Sequence, residues 1–98
     1  MKVTNLVVEM WPVVRLKMYE RNPRKNDKAV DQMCASITEY GFVIPILARS
    51  ASGLIADGHL RLKAALKLGM TEVPVIPCDN WTDEQVKAFR LQIGRAHV

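Results

Sequence analysis

A chain of 98 residues has room for one domain with one core, and much of its surface stays wet. Apolar residues make up 49% and charged ones 24%, a globular balance that excludes a disordered or low-complexity chain. The net charge of +4, from 14 Lys and Arg against 10 Asp and Glu, permits contact with nucleic acid or nucleotide phosphates without requiring it.

No run approaches the roughly 18 apolar residues of a membrane span. Residues 1–12 read as an N-terminal extension without the apolar region and cleavage site of a signal peptide. Cys34 and Cys78 are the only cysteines and fall outside any C-x-x-C spacing. Reduced thiols in a cytoplasmic protein are therefore the expectation.

In chain order, Trp11 to Lys17 alternates loosely and is rich in β-branched residues, which predicts a strand. Glu20 to Asn26 carries turn chemistry, with Asn22-Pro23 forcing an extended backbone. From Lys28 to Tyr40, the positions Val30, Met33, Ile37 and Tyr40 line one face of an amphipathic helix, and Gly41 stands where a left-handed cap ends it. Phe42 to Ala48 reads as a buried strand, with Pro45 placing it near an edge or a strand start. After a turn at Ser50 to Gly53, Leu54 to Ala56 is a short apolar segment ending at Asp57-Gly58. A second helix is predicted over His59 to Leu68, closed by Gly69, and a strand over Val73 to Ile76. Thr82-Asp83-Glu84-Gln85 matches a capping box that opens a third helix, with Val86 and Phe89 on its apolar side.

The stretch Ile93-Gly94-Arg95-Ala96-His97-Val98 is what one frame of a common sequencing adapter (ATC GGA AGA GCA CAC GTC) encodes. The expectation is a non-native tail over 93–98 on a fragment whose native chain continues differently after Gln92. A genuine frayed terminus is the alternative.

The turn from Asp57 to Arg61 carries the chemistry. Projected at about 100° per residue, Arg61 sits amid Leu60, Leu62, Ala64, Ala65 and Leu68, while Lys63 and Lys67 lie on the opposite side. A guanidinium in an apolar arc needs a counter-charge, because removing it from water costs roughly several kcal/mol. Two partners fit equally: the Asp57 carboxylate, or a bound anion held by the positive end of the helix beside Gly58. His59 can bond a phosphate, though such a residue more often packs or caps. No Cys/His cluster accompanies it to hold a metal. Lys63 and Lys67 are candidates for DNA backbone contact, or simply solubilise the face.

Several segments together resemble the N-terminal domain of the ParB/sulfiredoxin superfamily. They are Asn22-Pro23-Arg24, Ser36-Ile37 with Tyr40-Gly41, Ile44-Pro45-Ile46, Asp57 to Arg61 with Ala64-Ala65, and Gly69 to Val75. The resemblance runs from about Val13 to Leu91 and implies a ParB-like domain over 13–92. The implied fold is α+β, a short mixed sheet with about three helices. It also implies binding of CTP or ATP with Mg2+, association with DNA, and a homodimer. By position, Gly58 and Arg61 match the phosphate-binding motif, with Asp57 and His59 in the same turn and Arg24 near the same pocket.

His59-Leu60 replaces the Glu-Arg of chromosome-partitioning ParB proteins, and the turn lacks the cysteine of sulfiredoxin. Neither a clamp-forming CTPase cycle nor sulfinic-acid reduction is therefore implied. Asn80-Trp81-Thr82 with Gln85 to Leu91 is also similar to ParB-like domains fused before DNA methyltransferases in phages and mobile elements. No D-P-P-Y or F-x-G-x-G motif is present. The reading is a non-catalytic nucleotide-binding, DNA-associated domain. One alternative is the truncated regulatory front of a methyltransferase. Another is a ParB-type nuclease, for which Asp57, Asp79 and Asp83 are the only acids plausibly near one another.

Overall fold

A computed structural model describes residues 7–18 and 27–96. In chain order it has strand β1 (Glu9–Pro12), a 3-10 turn (Val13–Arg15), helix α1 (Asp27–Tyr40), strands β2 (Ile46–Ala48) and β3 (Ile55–Asp57), helix α2 (His59–Lys67), strand β4 (Glu72–Pro77) and helix α3 (Asp83–Ala96). The strands form one mixed sheet in the order β1-β4-β2-β3. β4 pairs antiparallel with β1 and parallel with β2, and β2 pairs antiparallel with β3. The expected α+β fold is the observed one.

The period of two along each strand divides the core between the faces of the sheet. Ile46, Ala48, Ile55, Val73 and Val75 point to one side, where they meet Leu62 and Ala65 of α2. Leu47 and Ile76 point to the other and pack with Cys78, Val86 and Phe89. The α1–α2 pair thus covers one face and α3 the other. Among the described residues no helix is long and apolar enough to cross a membrane.

Three boundaries differ from the sequence expectation. The first strand is Glu9–Pro12 rather than Trp11 to Lys17. At Pro12 the chain leaves the ladder, and after the 3-10 turn Leu16 drops into the core. Trp11 anchors this stretch at 1% exposure, with Glu9 accepting its indole N–H at 2.8 Å and the Arg15 guanidinium stacked 3.6 Å above its ring. The strand expected over Phe42 to Ala48 shortens to β2, which starts directly after Pro45. Its first pair with β4 is Ile46 with Val75, so Pro45 needs no place in the ladder. The last strand, expected over Val73 to Ile76, runs one residue further at each end as β4, with Pro74 and Pro77 inside it.

Two residues on expected apolar faces are exposed, Tyr40 at 68% and Leu68 at 42%. Tyr40 is the last residue of α1, which packs on α2, and Leu68 caps the end of α2. The turn at Glu20 to Asn26 lies outside the described residues.

The β2–β3 hairpin is closed by Arg49 and Gly53, whose N–H donates to the Arg49 carbonyl at 2.8 Å. Gly53 has φ +73°, and a Cβ there would stand 2.0 Å from the Arg15 carbonyl oxygen. Only glycine fits both the dihedral and the space. Next to it the Lys17 N–H donates to the Gly53 carbonyl at 2.8 Å, and Lys17 accepts from Ile55 at 3.0 Å. This clasp covers the start of β3, the edge strand, which would otherwise offer unpaired backbone groups.

Candidate functional site

β3 ends at Asp57, and the chain must reverse sharply to lay α2 back across the sheet. Gly58 does this in a left-handed conformation, φ 111° and ψ 22°, and serves as the N-cap without a side-chain cap bond. The Leu62 N–H donates to the Gly58 carbonyl at 3.0 Å, the first bond of the helix. A helix start concentrates backbone donors and the positive end of the dipole, which favours an anion.

Arg61 lies inward from this turn, 8% exposed. It is the residue the sequence placed amid an apolar arc, and Leu62, Ala64 and Ala65 beside it are buried as well. One nitrogen, Nη2, donates both to the Pro45 carbonyl at 3.1 Å and to Asp57 Oδ2 at 3.2 Å. The Asp57 side chain retains 19% exposure. Of the two partners open from sequence, the carboxylate is thus the one in contact. Yet the pair is end-on rather than bidentate, and Arg61 Nε is buried without a partner. A cavity of about 10 Å³, room for roughly one water, adjoins Arg61 between Met33, Ser36 and Ile37 of α1 and the Phe42–Ile44 segment.

The guanidinium rests directly against the bare backbone of Gly58. A Cβ on Gly58 would stand 3.0 Å from Arg61 Nη2 and 3.0 Å from Ile46 Cγ1. The glycine is required here twice, by its dihedral and by the arginine beneath it. His59 and Lys63 are half-buried on the same helix. Lys67 is exposed and bonds Asp31 of α1, which holds its ammonium pKa above the usual value. The turn therefore brings Asp57, Gly58, His59 and Arg61 together. Arg24 lies outside the described residues.

The other end of β2 carries a feature the sequence did not reveal. Arg49 donates to the carbonyls of Cys78 and Trp81, fixing the approach to α3, and its guanidinium lies 4.0 Å from the exposed Asp83 carboxylate. The Ser50 N–H donates to Asp79 Oδ1 at 2.7 Å. That bond, with help from Arg49 and Arg15, holds the Asp79 carboxyl below its ordinary range. Burial pushes the Cys78 thiol up, so it packs as an inert apolar group. A cleft of about 320 Å³ opens between β3 and α3, lined by Arg49, Ile55, Ala56, Val86 and Lys87. Asp57, Asp79 and Asp83 thus answer to three different partners, Arg61, Ser50 and Arg49. Among the described residues no group of three or more His, Cys, Asp or Glu could hold a metal ion.

A small mixed sheet whose edge strand runs through a glycine into a helix over a buried arginine defines a class of α+β domains suited to anions. Comparison with known proteins fixes the family. The model of the ParB N-terminal domain matches residues 2–93, and the chain belongs to that family. It is 39% identical over 75 residues to the ParB-like nuclease domain-containing protein YnaK of Escherichia coli (strain K12), covering 76% of this chain and 85% of YnaK. Among solved structures it is similar to the C-terminally truncated chromosome-partitioning protein ParB from Caulobacter crescentus complexed with CTP-γ-S. That match has a TM-score of 0.65 and 26% identity, over 82% of this chain and 48% of that one. The same partitioning protein has been solved on the centromeric parS site. A free serine kinase in complex with AMP matches at TM-score 0.64 and 26% identity, over 84% of this chain and 34% of the kinase. The chain thus spans most of YnaK, about half of the solved ParB and about a third of the kinase.

Proposed function

We propose that this domain binds a nucleoside triphosphate, CTP or ATP with Mg2+, and works in association with DNA. The phosphates sit over Gly58 at the amino end of α2. The observation that carries this reading is a buried guanidinium, Arg61, at the amino end of α2, with an Nε that no acceptor meets. In this reading the amides after Gly58 and the Arg61 guanidinium hold the phosphates, and His59 faces the anion from the first helical turn. Arg24, matched to the family pattern, is assigned as a further cation. Magnesium, when bound, neutralises part of the triphosphate charge.

Support comes from the relatives, since the Caulobacter ParB held CTP-γ-S and the serine kinase held AMP on the same fold. In this reading Lys63 and Lys67 meet DNA backbone phosphates, and Lys67 exchanges its bond to Asp31 for one of them. The domain itself is non-catalytic.

Isothermal titration with CTP, ATP and GTP in the presence of Mg2+ tests this, using wild type and Arg61→Ala. Wild type binds one of the three, and the variant loses affinity by about 100-fold while keeping a cooperative melt. A wild type that binds none, with a variant that unfolds, makes Arg61 purely structural.

In the solved ParB and the kinase this fold is only a part of a longer chain, which favours a second reading. Here the domain is the regulatory front of a larger enzyme, a DNA methyltransferase being the specific expectation. Reading the source DNA past the codon for Gln92 and finding no D-P-P-Y motif in frame removes it.

A further inference from the structure

A guanidinium carries five N–H donors in a fixed fork, which two carboxylate oxygens or a phosphate can engage side by side. Arg61 uses one nitrogen for both of its contacts, Asp57 and the Pro45 carbonyl, and its buried Nε has no acceptor. For a residue 92% removed from solvent (8% exposed) this is an undersatisfied arrangement. The same guanidinium lies against the backbone of Gly58, at the amino end of α2. Asp57 meanwhile sits one residue before that glycine, its side chain 19% exposed. Its negative charge therefore lies just before the first turn of a helix otherwise arranged to favour an anion.

We infer that Asp57 is a built-in counter-ion that occupies Arg61 in the free protein and competes with the incoming phosphate for it. This rests on the reading of the turn as a phosphate seat. Binding transfers Arg61 from a poor single-nitrogen contact to the phosphate, and the displaced carboxylate turns towards solvent or the accompanying cation. Asp57 then sets the affinity: it keeps the buried guanidinium paired when no ligand is present, and it opposes ligand by like-charge repulsion. Weak anions do not displace it, whereas a triphosphate, with several negative charges, does. The position thus selects for highly charged ligands over monoanions.

The substitution Asp57→Asn tests this, because the amide keeps the size and an acceptor oxygen for Arg61 but removes the charge. CTP and inorganic tripolyphosphate are titrated calorimetrically into wild type and variant. The Arg61 Nε–H resonance is followed in parallel by 15N-1H correlation spectra. The expected result is binding of both probes tightened by about tenfold in the variant, with the Nε–H resonance moving on saturation of either protein. A variant that binds while wild type does not also supports the inference. Equal or weaker binding by the variant, with wild type binding normally, overturns it and leaves the phosphate seat standing. Failure of both proteins to bind either probe overturns both readings. Should the variant not fold, wild type decides alone: an Nε–H resonance unmoved at CTP saturation overturns the inference, and a shifted one upholds it.

Discussion

The two ends of β2 each meet a guanidinium, and they use it differently. At the far end Arg49 donates to two main-chain carbonyls, those of Cys78 and Trp81, and the carboxylates of Asp79 and Asp83 near it are exposed. Those bonds tie the β2–β3 hairpin to the approach of α3, and their partners are fixed backbone atoms. At the near end Arg61 also makes both of its hydrogen bonds through one nitrogen, but it is buried more deeply, one of its acceptors is a side-chain carboxylate, and its buried Nε meets no acceptor. The first arginine is consumed by the fold. The second holds a buried Nε without an acceptor beside a helix start that carries no side-chain cap. On the proposed function, what sets Arg61 apart from Arg49 is a deeply buried donor without an acceptor beside a helix start.

The contrast makes the Arg49 end a framework whose damage costs stability and spares ligand affinity. Gly53→Ala should have the largest effect, about 3 kcal/mol or more, because φ +73° and the Arg15 carbonyl at 2.0 Å both oppose a side chain. A fall in the urea midpoint at unchanged slope is the expected readout. Arg49→Ala should cost about 2 kcal/mol by leaving two carbonyls without their donor. Its nucleotide titration should match wild type; a parallel loss of affinity would erase the distinction between the two ends.

Asp79 gives the smallest effect, visible as a pH dependence. Its folded-state carboxyl is held below the ordinary carboxylate range, chiefly by Ser50. Below its unfolded pKa the unfolded state takes up the proton first. The stabilisation is therefore complete above that value and is lost as the pH falls through the lower folded-state value. Asp79→Asn should flatten the drop in urea midpoint below about pH 4 by lowering the midpoint slightly near neutrality while leaving the acid limb almost unchanged.

Helix α1, the Asp57–Arg61 turn and the capping box of α3 were legible in the sequence because local chemistry defines each of them. The capping box forms as written, with Thr82 Oγ1 accepting from the Gln85 N–H at 3.1 Å and Gln85 Oε1 accepting from the Thr82 N–H at 2.8 Å. The anomaly of Arg61 was equally visible, since a charge within an apolar period stands out in one dimension. Arg49 was not, because an arginine after a short apolar run looks like any strand-end residue. Its partners lie 29 and 32 positions away. The first strand was misplaced because Val13–Arg15 keeps the composition of a strand while Pro12 turns it out of the ladder. Tyr40 and Leu68 show the limit of helical periodicity, which predicts a face but not whether the end of the helix is covered.

Titration of CTP with Mg2+, followed through backbone amide shifts, addresses both ends of β2 in one measurement. The largest shifts should fall on Gly58, His59, Leu60 and Arg61, with Ser50 and its neighbours nearly still. Shifts confined to the cleft of Arg49, Ala56 and Lys87, or none at saturating nucleotide, would remove the phosphate site from the turn.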